Sequence, residues 1–190
     1  MIYIAIGCSG FLLIHLFDIV ALKKLPLAKP ITWVLGSILL AYALVMLCLS
    51  PDKFYLPAWV IPLGWVTFII SLVLLLFSLF INLPFRKTYI NSGTDDKLIK
   101  SGLYALVRHP GVHWFTLLMA AMVLISQSTA MLTAAPVFIL LDVILVIVQD
   151  IFFFGKMFTG YDAYRKETPM LLPNRKSVQA FIASLKEVHA

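Results

Sequence analysis

Five runs of apolar residues, at 2–22, 31–49, 57–83, 112–126 and 129–155, alternate with polar connections along the chain. A helix that crosses the hydrocarbon core of a bilayer needs about 20 predominantly apolar residues, and the runs reach that length or approach it. Hydrocarbon offers the backbone no water, so each run is predicted to satisfy its own hydrogen bonds as a helix. The third and fifth runs are long enough to tilt, or to continue as helix beyond the bilayer. Only Gln127 and Ser128 separate the fourth run from the fifth, which predicts a tight antiparallel hairpin. Pro62 and Pro136 fall inside runs and are candidate kinks. The expected fold is therefore an all-α integral membrane protein of about five transmembrane helices, ending in a helical hairpin and a polar tail.

Composition agrees with this pattern. The 190 residues are 62% hydrophobic and 13% charged, with a mean hydropathy of +0.98, too apolar for a domain surrounded by water. The spans and their loops use most of these 190 residues, so no separate soluble catalytic domain is expected among them. Cys8 and Cys48 lie inside apolar runs without metal-type spacing and are read as small packing residues. The first run has no basic leader and no small-residue cleavage site, so it is expected to be a retained helix rather than a signal peptide.

Charge supplies an orientation. Lys23, Lys24 and Lys29 lie in the first connection, and Arg86, Lys87, Lys97, Lys100 and Arg108 in the third. The tail adds Lys156, Arg165, Lys166, Arg175, Lys176 and Lys186, which leaves Lys53 alone on the other side. By the positive-inside rule the N-terminus is expected outside, with the polar segments 85–110 and 156–190 in the cytoplasm. A bacterial inner (plasma) membrane is the expected location. The net charge of +6 is thus a matter of topology, so the lipid bilayer is the expected partner and nucleic acid is not. Within the tail, Val178, Phe181, Ile182, Leu185 and Val188 recur at helical spacing against Gln179, Lys186 and Glu187, predicting a short amphipathic helix at 177–188 that lies on the membrane or on the protein.

Two polar sets could carry chemistry. Residues 101–110 place Tyr104, Arg108, His109 and Pro110 directly before a span, where cations also serve as headgroup anchors. Near the end of the last span come Gln149 and Asp150, then Tyr161, Tyr164, Pro169 and Pro173. A carboxylate at the edge of an apolar helix normally faces a partner or a cavity. Asp142, eight residues before Asp150, shares roughly one face with it. A hairpin of the last two spans would bring Arg108 and His109 near Asp150. His15 and Asp18 share a face of the first span, either as glue between helices or as the floor of a pocket. His113, and Trp33, Trp59, Trp65 and Trp114 near span ends, read as interfacial anchors.

These motifs, in this order, resemble the isoprenylcysteine carboxyl methyltransferase and phospholipid methyltransferase superfamily. The likeness rests on Gly102-Leu-Tyr104, Val107-Arg-His-Pro110, the acidic-pair position Gln149-Asp150, Tyr161-x-x-Tyr164, Pro169 and Pro173, and it covers residues 96–173. It implies a membrane region at 1–84 and a methyltransferase-like region at 85–190. It also implies an S-adenosylmethionine pocket contacted by Leu98, Ile99, Tyr104, Arg108, His109, Pro110, Gly111, Val112, Gln149 and Asp150. Asp150, assisted by Gln149, would face the cofactor's charged end, and His109 its carboxylate or adenine side. A sulfonium gains Coulomb and cation–π energy beside a carboxylate and aromatic faces. The implied activity is methyl transfer to a lipidic or small hydrophobic acceptor arriving through the bilayer, with no residue singled out as catalytic.

Three positions depart from the family pattern. Val112 stands where a tyrosine is common, Gln149 and Asp150 stand where two glutamates are common, and Leu145 and Ile147 mark a stretch where an arginine is expected. Without that cation a carboxylate acceptor would be poorly held, so carboxyl methylation is not the expected reaction. The departures also motivate an alternative, a membrane protein that keeps the fold without transfer activity as a binding or assembly partner.

Overall fold

The structure, a computed structural model, describes residues 1–25, 27–81 and 98–187. Its elements are α1 (Ile2–Leu22), α2 (Ala28–Cys48), α3 (Val60–Leu76), α4 (Leu103–Leu106), α5 (Pro110–Ser126), α6 (Thr129–Val148), α7 (Phe154–Met157), α8 (Tyr161–Glu167) and α9 (Arg175–Glu187). Two widened π-type turns extend this set: Phe77–Ile81 prolongs α3, and Gln149–Phe153 joins α6 to α7. Four stretches are long and apolar enough to cross a membrane, namely Ile2–Leu22, Ala28–Cys48, Val60–Ile81 and Thr129–Met157. Pro110–Ser126 is apolar but shorter, at 17 residues. The protein is thus an all-α integral membrane protein. Leu83, Phe85, Arg86, Lys87, Asp96, Lys97 and Val188, which entered the sequence reading, lie outside the described residues, as do the side chains of Lys186 and Glu187.

The helix ends differ from the apolar runs for local reasons. The second helix starts at Ala28 because Pro30 occupies its first turn, where no backbone donor is needed. Pro62 is likewise in the first turn of α3, so it breaks no helical bond. Pro136 is interior to α6. At the hairpin, Gln127 takes a left-handed conformation with φ 47°, and the Ser128 hydroxyl caps α6 by accepting from Met131 N at 3.2 Å. The same hydroxyl donates to Leu47 O at 2.7 Å, while Phe54 N donates to Gln127 O at 2.9 Å. The α2–α3 connection and the α5–α6 turn therefore meet at one end of the bundle, as successive crossings require.

Packing pairs α1 with α2 and α3 with α5, with α6 against α1 and α2. The core gathers Phe11, Leu44, Leu47, Phe115, Leu118, Met119, Met131 and Phe138. Two buried hydroxyls of α3 and its widened turn are satisfied within that helix: Ser71 donates to Thr67 O at 2.7 Å and Ser78 to Leu74 O at 2.7 Å. The backbones of α1 and α2 approach closely at Gly10 and Gly36, where a Cβ on either residue would lie 2.8 Å from the other's carbonyl oxygen. In lipid, where apolar side chains gain little by leaving the solvent, such backbone contact carries much of the association. Gly36→Leu is expected to force α1 from α2 and to cost about 1–3 kcal/mol as overpacking, seen as a lower thermal midpoint of the detergent-purified protein.

Candidate functional site

The site grows out of a short extended segment. Pro110 opens α5 at a position where its missing N–H is no loss, and it disfavours helical backbone in the residue before it. His109 is accordingly non-helical, and Val107, the cap of α4, is extended. The segment pairs with the tail through Arg108 N to Pro169 O at 2.9 Å and His109 N to Met170 O at 3.2 Å. Upstream, Gly102 holds φ 59°, ψ −137°, a region closed to residues with a Cβ, and so starts α4. Gly160, at φ 82°, turns the chain into α8. These two turns fold both polar segments over the end of the hairpin.

Arg108 is 8% exposed and Asp150 3%, and the pair is bidentate: Nε donates to Oδ1 at 2.8 Å and Nη2 to Oδ2 at 2.9 Å. The third guanidinium nitrogen, Nη1, donates to Arg165 O at 3.1 Å and to Thr168 O. Tyr161 donates its phenol proton to Asp150 Oδ1, and Arg165 Nε lies 3.4 Å from Oδ2. His109 Nε2 lies 3.4 Å from Oδ1, and facing a carboxylate it is the protonated ring nitrogen. The His109 ring stacks on Phe154 at 5.6 Å, and Phe154 meets Tyr161 edge-on at 5.5 Å. The sequence-predicted approach of Arg108 and His109 to Asp150 is thus realised in detail. Asp150's carboxylate, expected to face a ligand, is already taken up by protein donors.

The tyrosines tie the layers together. Tyr104 donates to Ser78 O at 3.1 Å, a carbonyl within the widened turn ending α3, and Tyr164 donates to Tyr104 O at 2.6 Å. Burial raises all three phenols above their ordinary value, and the Asp150 carboxylate raises Tyr161 further, so each stays a proton donor. Lys100 Nζ sits 5.7 Å from the Tyr164 ring centroid. At the tail, Asn174 and Ser177 cap α9 reciprocally, with Ser177 N to Asn174 Oδ1 at 2.9 Å and Asn174 N to Ser177 Oγ at 3.0 Å. Gly102 N donates to Ser184 Oγ at 3.1 Å, so the amphipathic helix docks on α4. A surface groove at the start of α9, lined by Pro173, Asn174, Arg175, Val178 and Gln179, includes none of the residues around Asp150.

The remaining sequence-derived positions are distributed around this clamp. Leu98 and Ile99 are half-buried, and Pro110 and Val112 are buried at the start of α5. A Cβ on Gly111 would meet Leu75 and Leu79 at an ordinary 3.8 Å. Gln149 turns away from Asp150 and donates to Asp18 Oδ2 at 2.9 Å. Asp142 Oδ2 and Trp114 Nε1 are buried without a hydrogen-bond partner among the described residues. Sequence reasoning missed Arg165, Thr168 and Met170 as site residues. Arg165 carried a signal, since it lies one helical turn from Tyr161 on the same face of α8.

A family model described as phospholipid methyltransferase matches residues 59–158. That stretch contains α3, α4, α5, α6 and α7, and with them Arg108, His109 and Asp150. No curated protein and no solved structure matches the chain.

Two outcomes follow from the clamp. Arg108→Leu and Asp150→Leu each strand a buried charge and are expected to cost about 3–5 kcal/mol, whereas the double variant costs less than their sum, read from unfolding in detergent. Burial lowers the His109 imidazole below its ordinary 6.5 against the opposing pull of Asp150. An unfolded chain takes up that proton near pH 6.5 and the folded chain only at lower pH, so stability falls as pH drops below 6.5 until the folded value is reached. His109→Gln is expected to flatten this slope in a series of thermal midpoints against pH.

Proposed function

The chain belongs to the phospholipid methyltransferase family, and from that premise we propose that it is a membrane-embedded, S-adenosylmethionine-dependent methyltransferase acting on a lipidic or small hydrophobic acceptor. The observation that carries the reading is the buried Arg108–His109–Asp150 constellation, which joins the segment before α5 to the end of α6 inside the matched residues. The donor set fits the cofactor. Arg165, whose side chain is 46% exposed, and Lys100 supply cations for its carboxylate, and His109, Phe154 and Tyr161 supply aromatic faces for its sulfonium and adenine. Bound there, S-adenosylmethionine supplies a methyl group on a sulfonium sulfur.

The chain's own residues contribute position and dryness. Leu98, Ile99, Tyr104 and His109 through Val112 form the cofactor-facing wall in this reading, and Asp150 serves by fixing Arg108 and Tyr161. Alignment in a water-poor site is most of what methyl transfer asks of a protein. The spans on either side let an apolar acceptor reach the site from the bilayer. The sorting of Lys and Arg supports an orientation with this end of the bundle in the cytoplasm.

A second reading, a binding or assembly partner without transfer activity, is favoured by one observation: the Asp150 carboxylate is saturated by Arg108, Tyr161, His109 and Arg165. Isothermal titration of detergent-purified protein with S-adenosylmethionine, combined with transfer of labelled methyl to membrane lipids, separates the two. Methyltransferase function predicts binding and turnover in the wild type, with affinity falling at least about tenfold, or 1.4 kcal/mol, in His109→Ala and Asp150→Ala. Binding unchanged in both variants removes the site assignment, and no binding or turnover in the wild type favours the second reading.

A further inference from the structure

Asp18 lies in α1, outside the residues that match the family, yet it is 2% exposed and accepts a hydrogen bond from Gln149 Nε2 at 2.9 Å. Gln149 opens the widened turn Gln149–Phe153, and the next residue is Asp150. Successive helical residues project about 100° apart, so these neighbours address different elements. Gln149 reaches α1, while Asp150 reaches Arg108 and α8. We propose that Asp18 is a positioning residue of the Arg108–Asp150 site: acting through Gln149, it holds the widened turn in the register that aims Asp150 at Arg108.

A π-type turn carries one residue more than an α turn and forms poorer hydrogen bonds, so it persists where its surroundings hold it. Relaxation to α-helix would rotate all that follows by about one residue, or roughly 100°, and carry Asp150 or its successors away from Arg108. The clamp anchors the turn on one side, and Asp18 anchors it on the other. The cost of burying a carboxylate at this depth makes the bond a firm one, because Asp18 loses an acceptor contact if Gln149 swings away. Lys29, 1% exposed in the first turn of α2, acts electrostatically on the same carboxylate and rests 5.5 Å from the Phe17 ring centroid. The Gly10–Gly36 contact packs α1 closely against α2, the helix that carries Lys29. An amide suits position 149, since a glutamate there would set two carboxylates against each other.

The inference rests on the proposed function only for what the turn holds, and the test keeps the two apart. Hydrogen exchange across 145–157 would be compared in detergent-purified wild type, Asp18→Leu, Gln149→Leu and Asp18→Asn, beside titration with S-adenosylmethionine. Asp18→Leu and Gln149→Leu are expected to speed exchange at 149–157 by about tenfold, the scale of one buried hydrogen bond, and leave 130–140 unchanged. Asp18→Asn, whose side-chain carbonyl still accepts from Gln149, restores protection. Cofactor affinity follows the same order, and Asp18→Leu combined with Gln149→Leu binds no worse than either alone. Unchanged exchange at 149–157 in both leucine variants overturns the inference. So does faster exchange spread equally over α1 and α2, or failure of Asp18→Asn to restore protection. A wild type that binds no cofactor overturns the functional reading alone, because exchange still decides the role of Asp18.

Discussion

The bidentate pair between Arg108 and Asp150 is the contact on which the end of the molecule opposite the Gln127–Ser128 turn depends. A buried ion pair is sustained only where the remaining donors and lone pairs also find partners. Here nearly all do. Of the guanidinium's five N–H groups, two are on Asp150 and the two on Nη1 reach the carbonyls of Arg165 and Thr168. The carboxylate is completed by Tyr161 and His109. The added partners come from α8 and its C-cap and from His109 beside Arg108, so satisfying one charge ties the end of α6, the segment before α5 and the helix α8 into a single body.

Hydrocarbon imposes a second condition on the same place. Each long span next to the site ends in a widened turn, Phe77–Ile81 after α3 and Gln149–Phe153 after α6, and such turns disturb a backbone that must satisfy itself in lipid. Side chains take up the disturbance. Tyr104 donates to the Ser78 carbonyl in the first turn, and Gln149 and Asp150 anchor the second from opposite sides. Tyr164 then bonds to the Tyr104 carbonyl, so α8 reaches α3 through two phenols in series. The two motif tyrosines therefore have structural work that needs no ligand.

The spans, the Gln127–Ser128 turn and the approach of Arg108 to Asp150 were legible because each rests on a local signal: run length, connection length, and polar residues at the two ends of one hairpin. The amphipathic tail helix was legible for a related reason, since water on one side writes a polar stripe into the sequence. How the spans face one another was not. In lipid both the buried and the exposed side of a helix are apolar, so nothing in α1 announced that Asp18 would find Gln149, 131 residues away, and the sequence offered His15 as readily. Arg165 was read only as a topological cation, because its role depends on the turn at Gly160 that returns α8 to the clamp.

The charge balance of the clamp changes what the site can hold. Arg108 and Arg165 carry two positive charges against the single negative charge of Asp150, while the lowered His109 stays neutral near pH 7. Lys100 adds a further cation at the edge, over Tyr164. With its carboxylate already bonded, the cluster presents net positive charge and aromatic faces rather than a free anion. An electropositive site recognises the carboxylate end of a zwitterion more readily than a sulfonium, so in the proposed methyltransferase reading the sulfonium would fall to the rings of Phe154 and Tyr161, with cation–π attraction in place of an ion pair. The departure at Gln149 points the same way, because its amide adds no negative charge and spends its hydrogen bond on Asp18. On that proposal a ligand would be oriented by its anionic end, and Arg165, half-exposed beside a saturated carboxylate, is the cation placed to receive it.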